Sequence, residues 1–235
     1  MKPETFTESI KAALASQLQA VVLYGSSAAG DYIPGRSDYN LLLLADTWSV
    51  ANLDAIRAPS AKWQQAGNPA PLCFTPERFR ASADVFPMEM LDIVESHRVL
   101  HGDDPLRGIE VNPAHLRQQV EFELRSKLLK LRQAYLQLRK PQQELPHLLI
   151  DSLSSFQTVC RGALRLFGDS VPTDKLAATR ALGTALNSPI DAFESIHTLK
   201  AQSVQGLATK QDYRALLARY LEQIETLLDR VNAGE

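Results

Sequence analysis

The sequence is short of cysteine and of long apolar runs, and each shortage excludes a class of protein. Cys73 and Cys160 are the two cysteines, and their separation fits neither a disulfide framework nor a metal-ligand motif. The longest aliphatic run, Leu41 to Ala45, is far shorter than the ~20 residues of a membrane-spanning helix. The polar N-terminus is unlike a signal peptide, so we expect a soluble, cytoplasmic protein without a membrane partner.

The sequence also lacks an excess of charge of either sign. Lys and Arg number 25 against 27 Asp and Glu, which gives a formal net charge of -2. A protein that binds duplex nucleic acid needs a strongly basic surface, so the balance argues against duplex nucleic acid as a partner. It leaves room for a local pocket that binds one nucleotide. With 235 residues, 45% of them hydrophobic, the chain can bury a core without metal or disulfide staples.

Strand and helix signals alternate in the first half of the chain, and only helix signals follow. Apolar runs predict strands at 20–24, 39–45, 71–74 and 98–101, and periodicity predicts helices at 5–18 and 50–65 and after Thr75. After Pro113, apolar residues recur every three or four positions, with Pro141 and Pro146 as interruptions and Ser188 and Thr209 as helix caps. We predict an α+β protein: a mixed sheet with helices over 1–108, then a bundle of four or five helices over 109–235.

The segment 21–44 carries the residues suited to chemistry. Gly25 lets the backbone approach a ligand closely, and the small residues Ser26 and Ser27 can open a helix whose free N–H groups face an anion. Asp38 and Asn40 lie two apart on a predicted strand, so their side chains share one face and can offer oxygens to a hard cation. The pattern indicates a nucleoside triphosphate site. A plain strand-turn-strand, with Asp38 closing the turn, is the alternative.

This segment resembles the signature of the polymerase-beta-like nucleotidyltransferase superfamily, especially its small bacterial and aminoglycoside-modifying members. The signature is an apolar residue, Gly, then Gly or Ser, a linker, and Asp, apolar, Asp or Glu, apolar. The chain reads Tyr24-Gly25-Ser26, eleven residues, then Asp38-Tyr39-Asn40-Leu41. Asn40 stands where the family has its second carboxylate. The resemblance extends to about residue 108, and the helical second half fits relatives that carry a bundle there.

The resemblance implies a site in which three carboxylates hold two Mg²⁺ ions and Gly25, Ser26 and Ser27 bind the triphosphate. Asp38 would be the first carboxylate and Asn40 a neutral oxygen ligand. Asp92, expected on a later strand, would be the third. Glu89 and Glu95 are the alternatives to Asp92.

Two functions remain open at this point. The implied activity is transfer of a nucleoside monophosphate from a nucleoside triphosphate to a hydroxyl of a small molecule or protein, slowed by Asn40. The alternative is a catalytically inactive module that binds a nucleotide or a partner protein. The apolar stripes of the long helices also fit a homodimer. The basic side chains of the first bundle helix form either a solvated face or a surface that closes over the triphosphate; they are Arg125, Lys127, Lys130, Arg132 and Arg139.

Overall fold

Four strands form one mixed sheet in the first half of the chain. A computed structural model describes residues 1–29, 38–168, 171–204 and 212–233, and its contacts fall into two compact units, Met1–Asn112 and Pro113–Glu235. The strands of the first unit are β1 (Leu18–Tyr24), β2 (Asn40–Ala45), β3 (Leu72–Phe74) and β4 (His97–His101). Their order is β3-β2-β1-β4, with β1 antiparallel to both β2 and β4, and β3 parallel to β2. The predicted mixed sheet is confirmed.

Helices cover both faces of this sheet. The helices of the first unit are α1 (Pro3–Leu14), a single turn α2 (Ser26–Ala29), α3 (Val50–Gln65), α4 (Pro76–Ala81) and α5 (Pro87–Glu95). Phe6 of α1 and Trp63 of α3 share one core with Leu41 and Leu43 of β2. The alternate β2 residues Leu42 and Leu44 pack on the other face, against side chains of α4 and α5. Because β1 and β2 are covered on both faces, they are almost wholly apolar.

The segment around Asp92 is a helix, and the strand expected there is wrong. α5 begins at Pro87, whose fixed φ suits the first helical turn, and it buries Met88, Met90 and Ile93. Asp92 is therefore a partly exposed helical residue, and Glu89 and Glu95 are exposed on the same helix. The apolar run was too short for its periodicity to separate a strand from a buried helix.

The described residues of the second unit form five helices, as the bundle prediction required. They are α6 (Pro113–Gln137), α7 (Pro141–Leu164), α8 (Lys175–Ala185), α9 (Asp191–Val204) and α10 (Tyr213–Ala233). Pro146 lies inside α7 rather than interrupting it. Asp212 caps α10 through Arg214 N–H at 3.0 Å, whereas Thr209 lies outside the described residues. Ser188 does not cap α9, because its hydroxyl donates to the carbonyl of Leu186. Across the described chain, no helix has the length and hydropathy of a membrane span.

Candidate functional site

Gly25 follows β1 directly, adopts the left-handed backbone conformation and begins the turn after the strand. Gly25 has φ +80°, a conformation that favours glycine. Its N–H donates to the carbonyl of Ser96 at 2.9 Å, and its own carbonyl accepts from Ala28 N–H at 2.9 Å. The Gly25 N–H is thus engaged within the fold. The four-residue helix α2 follows. Side-chain placement of Ser26, a predicted phosphate ligand, lies outside what the structure describes.

Asp38 and Asn40 lie beside this turn, but only Asn40 is on a strand, because β2 begins at Asn40 and Asp38 precedes it. Asn40 opens β2 directly opposite Tyr24 of β1. Its Nδ2 stands 3.6 Å from the position that a Cβ on Gly25 would take. The same Nδ2 donates to Asp38 Oδ1 in a long hydrogen bond of 3.4 Å, while Ser27 Oγ donates to the Asp38 carbonyl at 2.8 Å. The structure therefore brings Gly25, Ser27, Asp38 and Asn40 together.

Asn68 holds the start of β2 in place, and the sequence reasoning missed it. Its Oδ1 accepts from the N–H of Tyr39 at 3.0 Å, and its Nδ2 donates to the Trp63 carbonyl at 3.3 Å. Asn68 is 8% exposed; its hydrogen bond to Trp63 is buried and the one from Tyr39 is partly buried. The sequence signal for it is the Gly67-Asn68-Pro69 turn between α3 and β3, because an Asn side chain in a turn commonly forms hydrogen bonds to the backbone. Asn68 fixes the backbone between Asp38 and Asn40.

The Tyr24 hydroxyl makes the free energy of unfolding depend on pH in the alkaline range. Burial, with a smaller contribution from the negative charge of Asp38, raises the pKa of the Tyr24 hydroxyl from 10.0 to about 12. Between pH 10 and 12 the unfolded chain has lost this proton and the folded chain keeps it. The free energy of unfolding therefore falls as the pH rises through this window. A fully buried group would contribute ~2.7 kcal/mol, and partial exposure reduces this to about 1 kcal/mol.

Tyr24→Phe should therefore lose less stability than the native chain between pH 9 and pH 12. Urea unfolding followed by tryptophan fluorescence measures the change, since both tryptophans, Trp48 and Trp63, belong to the first unit. Burial raises the pKa of Cys73 to about 11, and Cys73 titrates in both proteins, so its contribution cancels when the two are compared. An equally steep loss in the two proteins would contradict this account of Tyr24.

The described donors do not fit two magnesium ions held by three carboxylates. Asp38 supplies one carboxylate, and Asn40 turns an N–H donor, rather than its oxygen, toward it. β3 and β4 carry no Asp or Glu, and the β3 residue opposite Leu42 is Leu72. Within the described ranges, no group of three His, Cys, Asp or Glu side chains could hold a metal. Asp92 lies on the helix α5 and not on a strand, and its role as a metal ligand stays a prediction.

Comparison with known proteins identifies the fold. No protein-family model matches the chain, and no curated protein matches its sequence. Among solved structures, it is similar to the crystal structure of a spectinomycin adenyltransferase from Enterococcus faecialis with ATP and spectinomycin. The TM-score is 0.53 and the identity 13%, over 97% of each chain. At this identity the likeness shows the fold alone. The chain thus shares the fold of this adenyltransferase.

Proposed function

We propose that the chain is a nucleotidyltransferase-like protein that binds a nucleoside triphosphate beside Gly25 and has lost nucleotidyl transfer. The neutral Asn40 side chain beside Asp38, at the position where the resemblance places a second carboxylate, carries the proposal. A cation between these side chains would need an oxygen from each. The Asn40 amide instead places an N–H group beside the Asp38 carboxylate, so that no second negative charge is present for a cation to offset.

The charge balance of the pair supports a loss of transfer. Two adjacent carboxylates repel each other unless a cation lies between them, whereas a neutral amide beside Asp38 is stable without metal. Magnesium dehydrates reluctantly and is held through carboxylates together with substrate phosphates. Charge stabilisation by a metal contributes several kcal/mol to such a reaction, and each ~1.4 kcal/mol is tenfold in rate.

The ligand is inferred from the fold and from the turn. The similar adenyltransferase was crystallised with ATP and spectinomycin. For this chain we propose a nucleoside triphosphate that approaches the backbone at Gly25, a residue with no side chain of its own. Slow transfer to a hydroxyl of a small molecule is the second candidate, with magnesium as its cofactor. It is favoured by Asp38, which is exposed to solvent and held through its carbonyl by Ser27.

A labelled-transfer experiment separates the two candidates. The protein is incubated with each α-labelled nucleoside triphosphate, with Mg²⁺ or Mn²⁺, and with spectinomycin or a cell lysate as the acceptor. We expect no labelled product from the native chain beyond that from Asp38→Asn. Product that the native chain forms and Asp38→Asn does not form would overturn the loss of transfer and establish the second candidate.

Nucleotide binding is tested with a matched pair of glycine variants. Gly25→Val and Gly108→Val each place a β-branched residue at a positive φ, +80° and +75°, but only the first lies at the site. We expect Gly25→Val to weaken nucleotide binding at least tenfold and Gly108→Val to leave it close to native, as measured by equilibrium titration. Equal affinities in both variants would contradict the placement of the ligand.

A further inference from the structure

Helix α6 carries two apolar stripes, and only one of them lies in the core of its unit. The buried stripe consists of Leu116, Val120, Leu124, Leu128 and Leu131. Phe122, Leu129 and Leu136 form the second, and they are 66%, 58% and 81% exposed. These three residues are seven apart, close to two helical turns, so they share a face opposite the buried stripe. Single exposed apolar residues are ordinary, but three in a line on one helix mark an interaction surface.

The charges beside the exposed stripe already have partners within the same unit. Arg125 pairs with Glu121 at 2.8 Å, and Arg132 pairs with Glu225 of α10. Covering the stripe would therefore not leave these two guanidinium groups buried without a counter-charge, which is the costly case. The same pairs, with Lys127 on Glu123 at 2.8 Å, support the interpretation of the basic α6 residues as a solvated face.

We propose that the exposed stripe of α6 pairs with the same stripe of a second copy of this chain. The two helices run antiparallel about a two-fold axis at Leu129, so that Phe122 of each copy contacts Leu136 of the other. Such an interface is self-complementary and closed, as in most soluble dimers. The seven-residue spacing supports it, because residues seven apart lie close to one line along a helix and can contact one partner helix together.

The charges favour this antiparallel arrangement over a parallel one. About the axis at Leu129, Arg125 lies opposite Gln133, and Arg132 lies opposite Ser126. A parallel pairing in register would place each of these arginines against the same arginine of the other copy. Like charges across an interface cost several kcal/mol, whereas Arg beside Gln or Ser does not. The arrangement of charges thus suits a second copy in one orientation.

The exposed stripe supplies most of the area that a dimer needs. The three side chains offer ~400 Å² per chain, or ~800 Å² over two copies, and the stems of the flanking arginines extend this toward the ~1,000 Å² of a specific interface. Next to Leu136, a cavity of about 380 Å³ opens between α6 and α10. Phe122 of the second copy would lie beside it. The apolar lining of this cavity includes Leu131, Leu136, Leu217, Ala218 and Leu221.

Sedimentation equilibrium of the full chain tests the proposal. We expect the native chain to dimerise at micromolar concentration, and Leu129→Lys, which places two ammonium groups at the axis, to raise the dissociation constant at least tenfold. Leu53→Lys is the matched control, because Leu53 is a 45% exposed leucine on a helix of the other unit. A native chain that is monomeric at ~100 μM, or a Leu129→Lys variant as dimeric as Leu53→Lys, would overturn the proposal.

Cysteine cross-linking tests the orientation. Phe122→Cys and Leu136→Cys proteins are oxidised mildly, each alone and as a mixture. Antiparallel pairing predicts that the mixture gives far more covalent dimer than either protein alone, since a disulfide needs Cα atoms within ~7 Å. Native Cys160 is buried and Cys73 partly buried, so the unsubstituted chain sets the background. Covalent dimer from each single variant, with no increase in the mixture, would indicate a parallel pair and overturn the antiparallel one.

Discussion

Gly102→Ala should destabilise the first unit by more than 3 kcal/mol, the largest effect expected of any single methyl group in this chain. Gly102 follows β4 with φ +79°, and an added Cβ would stand 1.9 Å from the carbonyl oxygen of Gln19. This oxygen belongs to the backbone of β1 and cannot rotate away as a side chain would. β1 and β4 would have to separate at this end, and hydrogen bonds between the two strands would be lost.

Gly108→Ala is the control that isolates the clash. Gly108 has a similar φ of +75°, but an added Cβ meets no atom within 4 Å. We expect it to cost only the left-handed strain, about 1–2 kcal/mol. Urea unfolding followed by the fluorescence of Trp48 and Trp63 reports the first unit. Equal losses in the two variants would mean that β1 and β4 do not approach as closely as described.

Asn40→Asp should make the stability of the chain depend more strongly on magnesium. Without metal, the variant should be less stable than the native chain by about 1 kcal/mol, because a second carboxylate replaces the amide that donates to Asp38. With millimolar Mg²⁺ and a nucleoside triphosphate, the variant should gain more stability than the native chain. A ligand at 100 times its dissociation constant stabilises the folded state by ~2.7 kcal/mol.

Thermal melts of both proteins, with and without the nucleotide and magnesium, measure this difference. Gln65→Glu, which adds the same charge on the exposed side of α3, is the control for a general effect of charge. Equal ligand-induced shifts in the native chain and in Asn40→Asp would show that Asn40 does not stand at a metal position. The alignment of the motif would then be wrong.

The sequence was most informative where one local rule decides the structure. β2 could be predicted because a strand covered on both faces reads as a continuous apolar run, Leu41 to Ala45. The start of α4 could be predicted because Thr75 and Pro76 combine a capping side chain with a proline suited to the first turn. In the structure, Thr75 Oγ1 accepts from Arg78 N–H at 3.3 Å.

Other parts of the site depend on contacts between distant segments, which periodicity does not encode. The sequence favours a strand around Asp92 because the apolar run there is short. What decides for a helix is the burial of Met88, Met90 and Ile93 against the sheet. Asn68 could not be assigned to the site, since its partner Tyr39 lies 29 residues away in sequence. The direction of the Asn40 amide likewise follows from its neighbours in space.

Titration calorimetry of the native chain with a nucleoside triphosphate, once in EDTA and once in millimolar Mg²⁺, tests most directly whether the site beside Asp38 and Asn40 binds nucleotide without a metal. We predict binding in both solutions, with dissociation constants that agree within about threefold. Binding that is at least about tenfold tighter in Mg²⁺ would contradict the account, because the native site would then hold the metal that the Asn40 amide is proposed to exclude.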